Sequence, residues 1–451
     1  MSQTKFDQVA EAVKAAMQEH LIPGVALGVA DGDQLYTAGL GVTSVDNPLD
    51  VTDETLFQIG SVSKTFTATA IMRLVEMGKL ELDAPVRRYI PDFKVADEAV
   101  SALVTVQHLV THSAGWEGDV FTDTGTNDDA LKIYVQQMAS LEQLAPPDTL
   151  YSYNNAAFAV AGLLIERATG KTFEEALQEL IFQPLGLERT FYFARDLITY
   201  RFSVGHATVE EKVRVQRPWP LPRASNPAGG IACHVKDLLT YARFHMGDGA
   251  AANGARLLSA ESMKLMQTPQ FQADRDEGHV GLSWMIRRIG AITVIQHGGA
   301  TIGQVCTLLI APAQRFALAI LTNNDHGGLV VAAGVKAALK AFLDTEETLP
   351  TPIEAAPEQL ARYAGKYIRP SLALTAAVQG DGLMIQIEQT INLAEEETPL
   401  PPPIAMRLCG EHRFIVTDGI YKDMQVEFIP YEGGIGWVRM GGRLNRRVAD
   451  A

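Results

Sequence analysis

The chain has 451 residues, 47% of them hydrophobic and 20% charged, with a formal net charge of −15. This is ordinary globular composition, and the length suits one large domain plus a small one. The acidic balance argues against nucleic acid or an anionic membrane as a partner, and no apolar run reaches the roughly 18 residues that crossing a bilayer needs.

The first element is a helix. Phe6, Val9, Val13 and Met17 follow helical spacing, and Pro23-Gly24 stops it. The segment lacks an apolar core of signal-peptide length, so the expected compartment is the cytoplasm. A hairpin follows, turning at Asp31-Gly32-Asp33. A strand over 55–59 leads through Gly60 into an apolar helix that opens at Ser61 and ends at Gly78. From about 80 to 225 the pattern is helical with long loops. Helices are expected over 105–109, 156–169, 173–181 and 237–246. Strands return over 281–288, 291–296, 304–310 and 316–322, and a helix covers 330–343. Strands at both ends with helices between predict an α+β fold, one antiparallel sheet flanked by helices with an all-helical insertion.

Residues 349–357, rich in proline, read as a linker between a domain over 1–348 and a second over 358–451. The second reads as short strands over 372–378, 383–388, 405–408, 413–417, 425–429 and 436–440, a small antiparallel barrel or half-barrel. Residues 395–403 read as a loop. The three cysteines, Cys233, Cys306 and Cys409, are widely spaced and odd in number, which indicates neither a disulfide framework nor zinc. The ten histidines show no metal-ligand spacing, and no cofactor is expected.

Three motifs carry chemistry. The first is Ser61-Val62-Ser63-Lys64. Positions i and i+3 share a helix face, so Lys64 can reach the Ser61 hydroxyl. The positive end of the helix dipole and burial both disfavour the ammonium form, leaving a competent base. Read alone, this pattern is more often an N-cap followed by a solvated lysine. The second motif is Tyr153-Asn154-Asn155, just before the helix over 156–169. Tyr153 could exchange protons with the serine and the leaving group, and Asn155 could bind the lysine or a substrate carbonyl. Its bland alternative is a core tyrosine followed by an asparagine N-cap. The third is His297-Gly298-Gly299-Ala300, placed after a strand. Gly299 would let the backbone approach a ligand, and the Ala300 N–H could join the Ser61 N–H as oxyanion donors. His297 could bind a carboxylate when protonated or donate a hydrogen bond when neutral.

In this order the three motifs resemble the S-x-x-K, Y-x-N and K-T-G or H-x-G pattern of the penicillin-recognising serine hydrolases. That group includes class C β-lactamases, D-aminopeptidases, D-alanyl-D-alanine carboxypeptidases and related esterases. The strings VQHLVTHSAGW, PAGGIACHVKDLLTYARF and HGGATIGQ also look familiar, and the resemblance spans roughly residues 5–345. It implies a β-lactamase/transpeptidase-like fold. It also implies an acyl-enzyme on Ser61, proton transfer by Lys64 and Tyr153, and substrate contacts from Asn155, His297, Gly299 and Ala300. It gives His112, in the His112-Ser113-Ala114-Gly115-Trp116 loop, a structural role. The histidine at position 297, where class C β-lactamases usually carry lysine, is more like the D-aminopeptidases and esterases. The run LARYAGKY from Leu360 resembles the opening of lipocalin-like barrels appended to some of these hydrolases, where such a barrel could cap the site or build a homo-oligomer.

The expected partner is thus a small molecule or short peptide. The leading expectation is a serine hydrolase of amides or esters, with D-amino-acid-containing peptides or small esters as substrates. A β-lactamase or carboxypeptidase is the alternative within the family, and a catalytically silent binding protein the alternative outside it.

Overall fold

The computed structural model describes residues 2–275, 278–389 and 402–448. Helix α1 (Ser2–Glu19) buries Phe6, Val9, Val13 and Met17, the stripe its spacing predicts. Strands β1 (Gly24–Asp31) and β2 (Gln34–Gly41) form the hairpin, with Gly32 at a positive φ in the turn. Four longer helices follow: α2 (Ser63–Glu76), α3 (Asn155–Thr169), α4 (Val235–Met246) and α5 (Gly327–Leu343). Gly170 ends α3 in the left-handed conformation.

The sheet is completed from the far end of the hydrolase-like region. Its strands are β3 (Phe271–Gln272), β4 (His279–Val280), β5 (Met285–Ile289), β6 (Ile292–Thr301), β7 (Gln304–Ala311) and β8 (Phe316–Thr322). The eight strands run in the order β2-β1-β8-β7-β6-β5-β4-β3, and each neighbouring pair is antiparallel. The two ends of this region meet where β1 pairs with β8, with Leu27 opposite Ile320. Both faces are covered. Val25, Leu27 and Val29 face α1 and α5, while Ala26 and Ala30 face the core that α2, α3 and α4 share. The near-continuous burial of β1 follows from this two-sided packing.

Between β2 and β3 the chain is mainly helical, and it also carries a three-stranded and a two-stranded sheet. The strand expected over 281–288 begins only at Met285. Residues before it form a bend in which Gly281 N donates to Trp284 O and Ser283 takes a positive φ. The strand expected over 291–296 instead runs on to Thr301, so the His297 to Ala300 motif lies inside β6, paired with β7, and not after it.

The C-terminal strands close into an eight-stranded antiparallel barrel. They are β9 (Gly365–Arg369), β10 (Leu372–Gln379), β11 (Gly382–Gln389), β12 (Ile404–Gly410), β13 (Arg413–Val416), β14 (Gln425–Tyr431), β15 (Gly434–Met440) and β16 (Arg443–Arg447). Sequence patterning missed the first and last, which pair with each other to close the ring. Tyr363, Tyr367, Phe414 and Phe428 fill its interior. Apart from Pro402 and Pro403, the loop expected over 395–403 lies outside the described residues.

The glycine pair in β6 is asymmetric. A Cβ on Gly299 would stand 2.0 Å from the Ile59 carbonyl oxygen, whereas one on Gly298 would meet nothing closer than 3.7 Å. Gly299→Ala should therefore cost about 1–3 kcal/mol of stability in urea denaturation, and Gly298→Ala should stay near wild type. Equal melts for the two variants would show that β6 does not need this close approach.

Candidate active site

The serine turn is built by pairing on one side and glycine on the other. Phe57 and Gln58 pair with Ala232 and Cys233 in the small three-stranded sheet. Gly60 then takes φ +47, a left-handed conformation costly for other residues. Ser61 lies in a 3-10 turn over Gly60–Val62, and α2 starts two residues later than expected. A Cβ on Gly60 would lie 2.7 Å from the Ala300 nitrogen, so the serine turn and the Ala300 amide sit against one another. Cys306 Sγ donates to Ile59 O at 3.0 Å and fixes the same junction.

Lys64 is fully buried. Its Nζ donates to Ala228 O at 2.6 Å and to Ser61 Oγ at 3.1 Å, both neutral partners. The ammonium position also lies 4.9 Å from the Tyr153 ring centre and 5.4 Å from that of Phe158. Burial holds the Lys64 pKa well below the usual lysine value, and the Arg443 guanidinium pushes the same way. Asn155 was expected to help hold this lysine. Instead its Nδ2 donates to Asp119 Oδ1 at 2.7 Å, and the Ala228 carbonyl holds the lysine.

Tyr153 is buried in the segment that leads into α3, and Asn154 caps that helix by accepting from Ala157 N at 2.8 Å. The tyrosine hydroxyl stands beside Ser61 without a well-formed hydrogen bond, and burial raises its pKa far above that of an ordinary phenol. The group is a neutral phenol. Two histidines flank it. His112 stacks on the ring at 4.3 Å and accepts the Asn154 N–H on Nδ1. The His297 ring lies 6.0 Å from that of Tyr153. Its Nδ1 lies 2.6 Å from Gly298 O; a carbonyl only accepts, so Nδ1 carries the proton. Burial pushes its pKa down to about 3. At neutral pH His297 is thus uncharged, and Nε2 is an acceptor. Burial disfavours the protonated His297 that could hold a carboxylate; the neutral ring donates through Nδ1, to Gly298 O.

Sequence reasoning allowed the barrel to cap the site but named none of the residues it brings there. The β15–β16 turn docks on the Tyr153 segment, where Tyr153 N donates to Gly442 O at 2.8 Å and Leu444 N to Ser152 Oγ at 3.3 Å. The next residue, Arg443, lays its guanidinium 4.5 Å from the centre of the Tyr153 ring and keeps a side-chain exposure of 29%. Its Nε donates to the buried carboxylate of Asp119 at 2.7 Å. The only trace in the sequence is Gly441-Gly442 ahead of a basic segment.

An antiparallel sheet between helical layers, with a serine and a buried lysine one turn apart, defines a serine acyl-transfer hydrolase. The Beta-lactamase family profile matches residues 9–341, and the chain belongs to that family. Penicillin-binding protein 4 of Amycolatopsis lactamdurans is 34% identical over 374 residues, covering 80% of this chain and 96% of that protein. Esterase EstB of Burkholderia gladioli is 32% identical over 61% of this chain and 74% of its own. Among solved structures, SurE with D-Leu superposes with a TM-score of 0.76 at 24% identity, over 99% of this chain and 100% of that one. The octameric penicillin-binding protein homologue from Pyrococcus abyssi gives a TM-score of 0.65 at 21% identity, over 98% and 99%. The chain is thus a β-lactamase-family serine hydrolase with an appended barrel. Among the described residues no helix is long and apolar enough to cross a membrane.

A depressed lysine has a signature in stability. Between its folded value and 10.5 the unfolded chain binds a proton that the folded chain does not, so stability rises with pH over that window. Lys64→Met removes this dependence. The wild type should gain stability over the variant as pH rises from neutral towards 10.5, in paired urea melts, while the variant loses activity on the order of 10⁴-fold. Parallel stability curves would mean that Lys64 is an ordinary charged lysine.

Proposed function

We propose that this hydrolase acts through an acyl-enzyme on amide or ester bonds, with D-amino-acid-containing peptides or small esters as substrates. The observation that carries the reading is the 3.1 Å contact between Lys64 Nζ and Ser61 Oγ, with the lysine buried and held by a carbonyl. In this reading neutral Lys64 takes the Ser61 proton as the oxygen attacks a carbonyl carbon. The resulting oxyanion lies between the Ser61 and Ala300 N–H groups. Tyr153, as a neutral phenol, gives its proton to the leaving group and regains one from Lys64. Water then attacks the acyl carbon and reverses the proton path. Asn155 and Gly299 shape the substrate channel, and His297 Nε2 accepts from a substrate N–H.

The esterase name of one relative supports ester substrates, and the D-Leu of the SurE structure supports a D-amino acid in the substrate. A second reading draws on Arg443. Its guanidinium at the site mouth favours acyl donors that carry a carboxylate, as carboxypeptidase and β-lactam substrates do. The same reading takes 1–348 as the hydrolase domain, 349–357 as a linker and 358–451 as the barrel domain. The octameric homologue supports a homo-oligomer, which light scattering would test.

The deciding experiment is a turnover panel on wild type and Ser61→Ala. The panel pairs p-nitrophenyl esters, a chromogenic cephalosporin, and D- and L-amino-acid p-nitroanilides. Ser61→Ala should lose on the order of 10⁴-fold or more on every substrate the wild type turns over, with D- preferred to L-anilides. Equal rates for the two proteins would overturn the role of Ser61, and preference for the cephalosporin would favour the second reading.

A further inference from the structure

Asp119 is buried, 5% exposed, yet it takes no part in the proposed proton path. Three donors from three elements converge on it. Asn155 Nδ2 at the start of α3 lies 2.7 Å from Oδ1, while Arg443 Nε of β16 and Arg369 Nη1 of β9 lie 2.7 and 3.1 Å from Oδ2. The two arginines come from the strands that close the barrel. Arg369 has a side-chain exposure of 12%, and its Nε has no hydrogen-bond partner among the described residues. Two guanidinium groups therefore face one carboxylate. Glu117 lies beside Asp119. It is 2% exposed, its Oε1 accepts the Asp119 N–H, and burial raises its pKa.

We propose that Asp119 couples the barrel to the catalytic pair, with Arg369 as a positioning residue that sets the electrostatic environment of Lys64 without touching substrate. The inference rests on the acyl-enzyme reading above. The groups facing Lys64 are Ser61 from its own turn, Tyr153 and His112 from the two flanking loops, His297 from β6 and Arg443 from the barrel. Asp119 acts on it through space. Facing Asp119 are Glu117, Asn155, Arg369, Arg443 and, further off, Tyr134. Of the two charged groups that bear on Lys64, Arg443 disfavours the ammonium form and Asp119 favours it. Arg369 and Arg443 together offset Asp119, whose own burial keeps it weakly screened. Without Arg369, the Asp119 charge is felt more strongly at Lys64, the ammonium gains, and the base is lost until higher pH.

The sign follows. Acylation needs neutral Lys64, so its acid limb reports the lysine. In Arg369→Gln the acid limb of kcat/KM for p-nitrophenyl acetate should move up by about half to one pH unit. Below the limb the rate should fall roughly 3- to 10-fold, and at high pH it should return to wild type. Arg369→Lys keeps the charge and should restore the limb. Asp119→Asn removes the charge and keeps one acceptor oxygen, turned to Arg443, while its amide NH2 replaces the other; it should move the limb the other way. A purely structural role would lower kcat/KM by one factor at every pH, and that result in Arg369→Gln would overturn the proposal. If Arg369→Gln does not fold, an unmoved limb in Asp119→Asn overturns it equally. A p-nitrophenol burst in wild type and not in Ser61→Ala separates the two claims. With the burst present and the limbs fixed, only the coupling fails. With no burst, the acyl-enzyme reading fails first.

Discussion

A lysine with no exposed surface, hydrogen-bonded to a hydroxyl and a carbonyl, is the constraint on which the rest of this molecule depends. Burying an ammonium without a carboxylate partner is expensive, and the way out is to lose the proton. Most features around Lys64 work in that direction, with Asp119 opposing them. Phe158 and Tyr153 wall it with rings, Ala228 accepts from it without adding charge, and Arg443 brings a like charge near. The same surroundings keep Tyr153 protonated and His297 neutral. The site thus separates its roles by environment, with a neutral amine as base and a neutral phenol as acid.

Close backbone packing does the complementary work of bringing together segments about 240 residues apart in the chain. Gly60 and Gly299 let the serine turn lie against β6, and Cys306 seals the junction through Ile59 O. Putting the Ala300 amide beside Ser61 requires no side chain at either glycine. The barrel adds a third segment. Its last hairpin donates no catalytic side chain to the proposed proton path, but it forms one wall of the site through Gly442, Arg443 and Leu444.

How much of this was legible in the sequence depended on whether the information was local. Ser61 and Lys64 could be paired because helix periodicity alone puts i and i+3 on one face, and the 3-10 turn that replaces the first helical turn keeps them adjacent. The sheet built from both chain ends was legible from apolar strand patterning. The extension of β6 through two glycines was not, since glycine pairs read as turns unless the approaching backbone is known. The closing strands β9 and β16 were also missed. Gly365–Arg369 and Arg443–Arg447 are rich in basic residues and lack clean alternation, and only ring closure makes them strands. With them went Arg369 and Arg443, and hence Asp119. The tautomer of His297 depends on one carbonyl oxygen 2.6 Å away, which no motif records.

The central claim is that burial holds Lys64 well below the ordinary lysine value, so that it can serve as the base. It is tested most directly by titrating the lysine itself, by NMR of protein carrying ¹³Cε-lysine, with Lys64→Met assigning the resonance. A Lys64 signal whose midpoint lies well below 10.5, or that stays in its neutral position down to the pH of acid unfolding, is what the account predicts. A midpoint at the ordinary lysine value would contradict it, and would pass the task of base to another group.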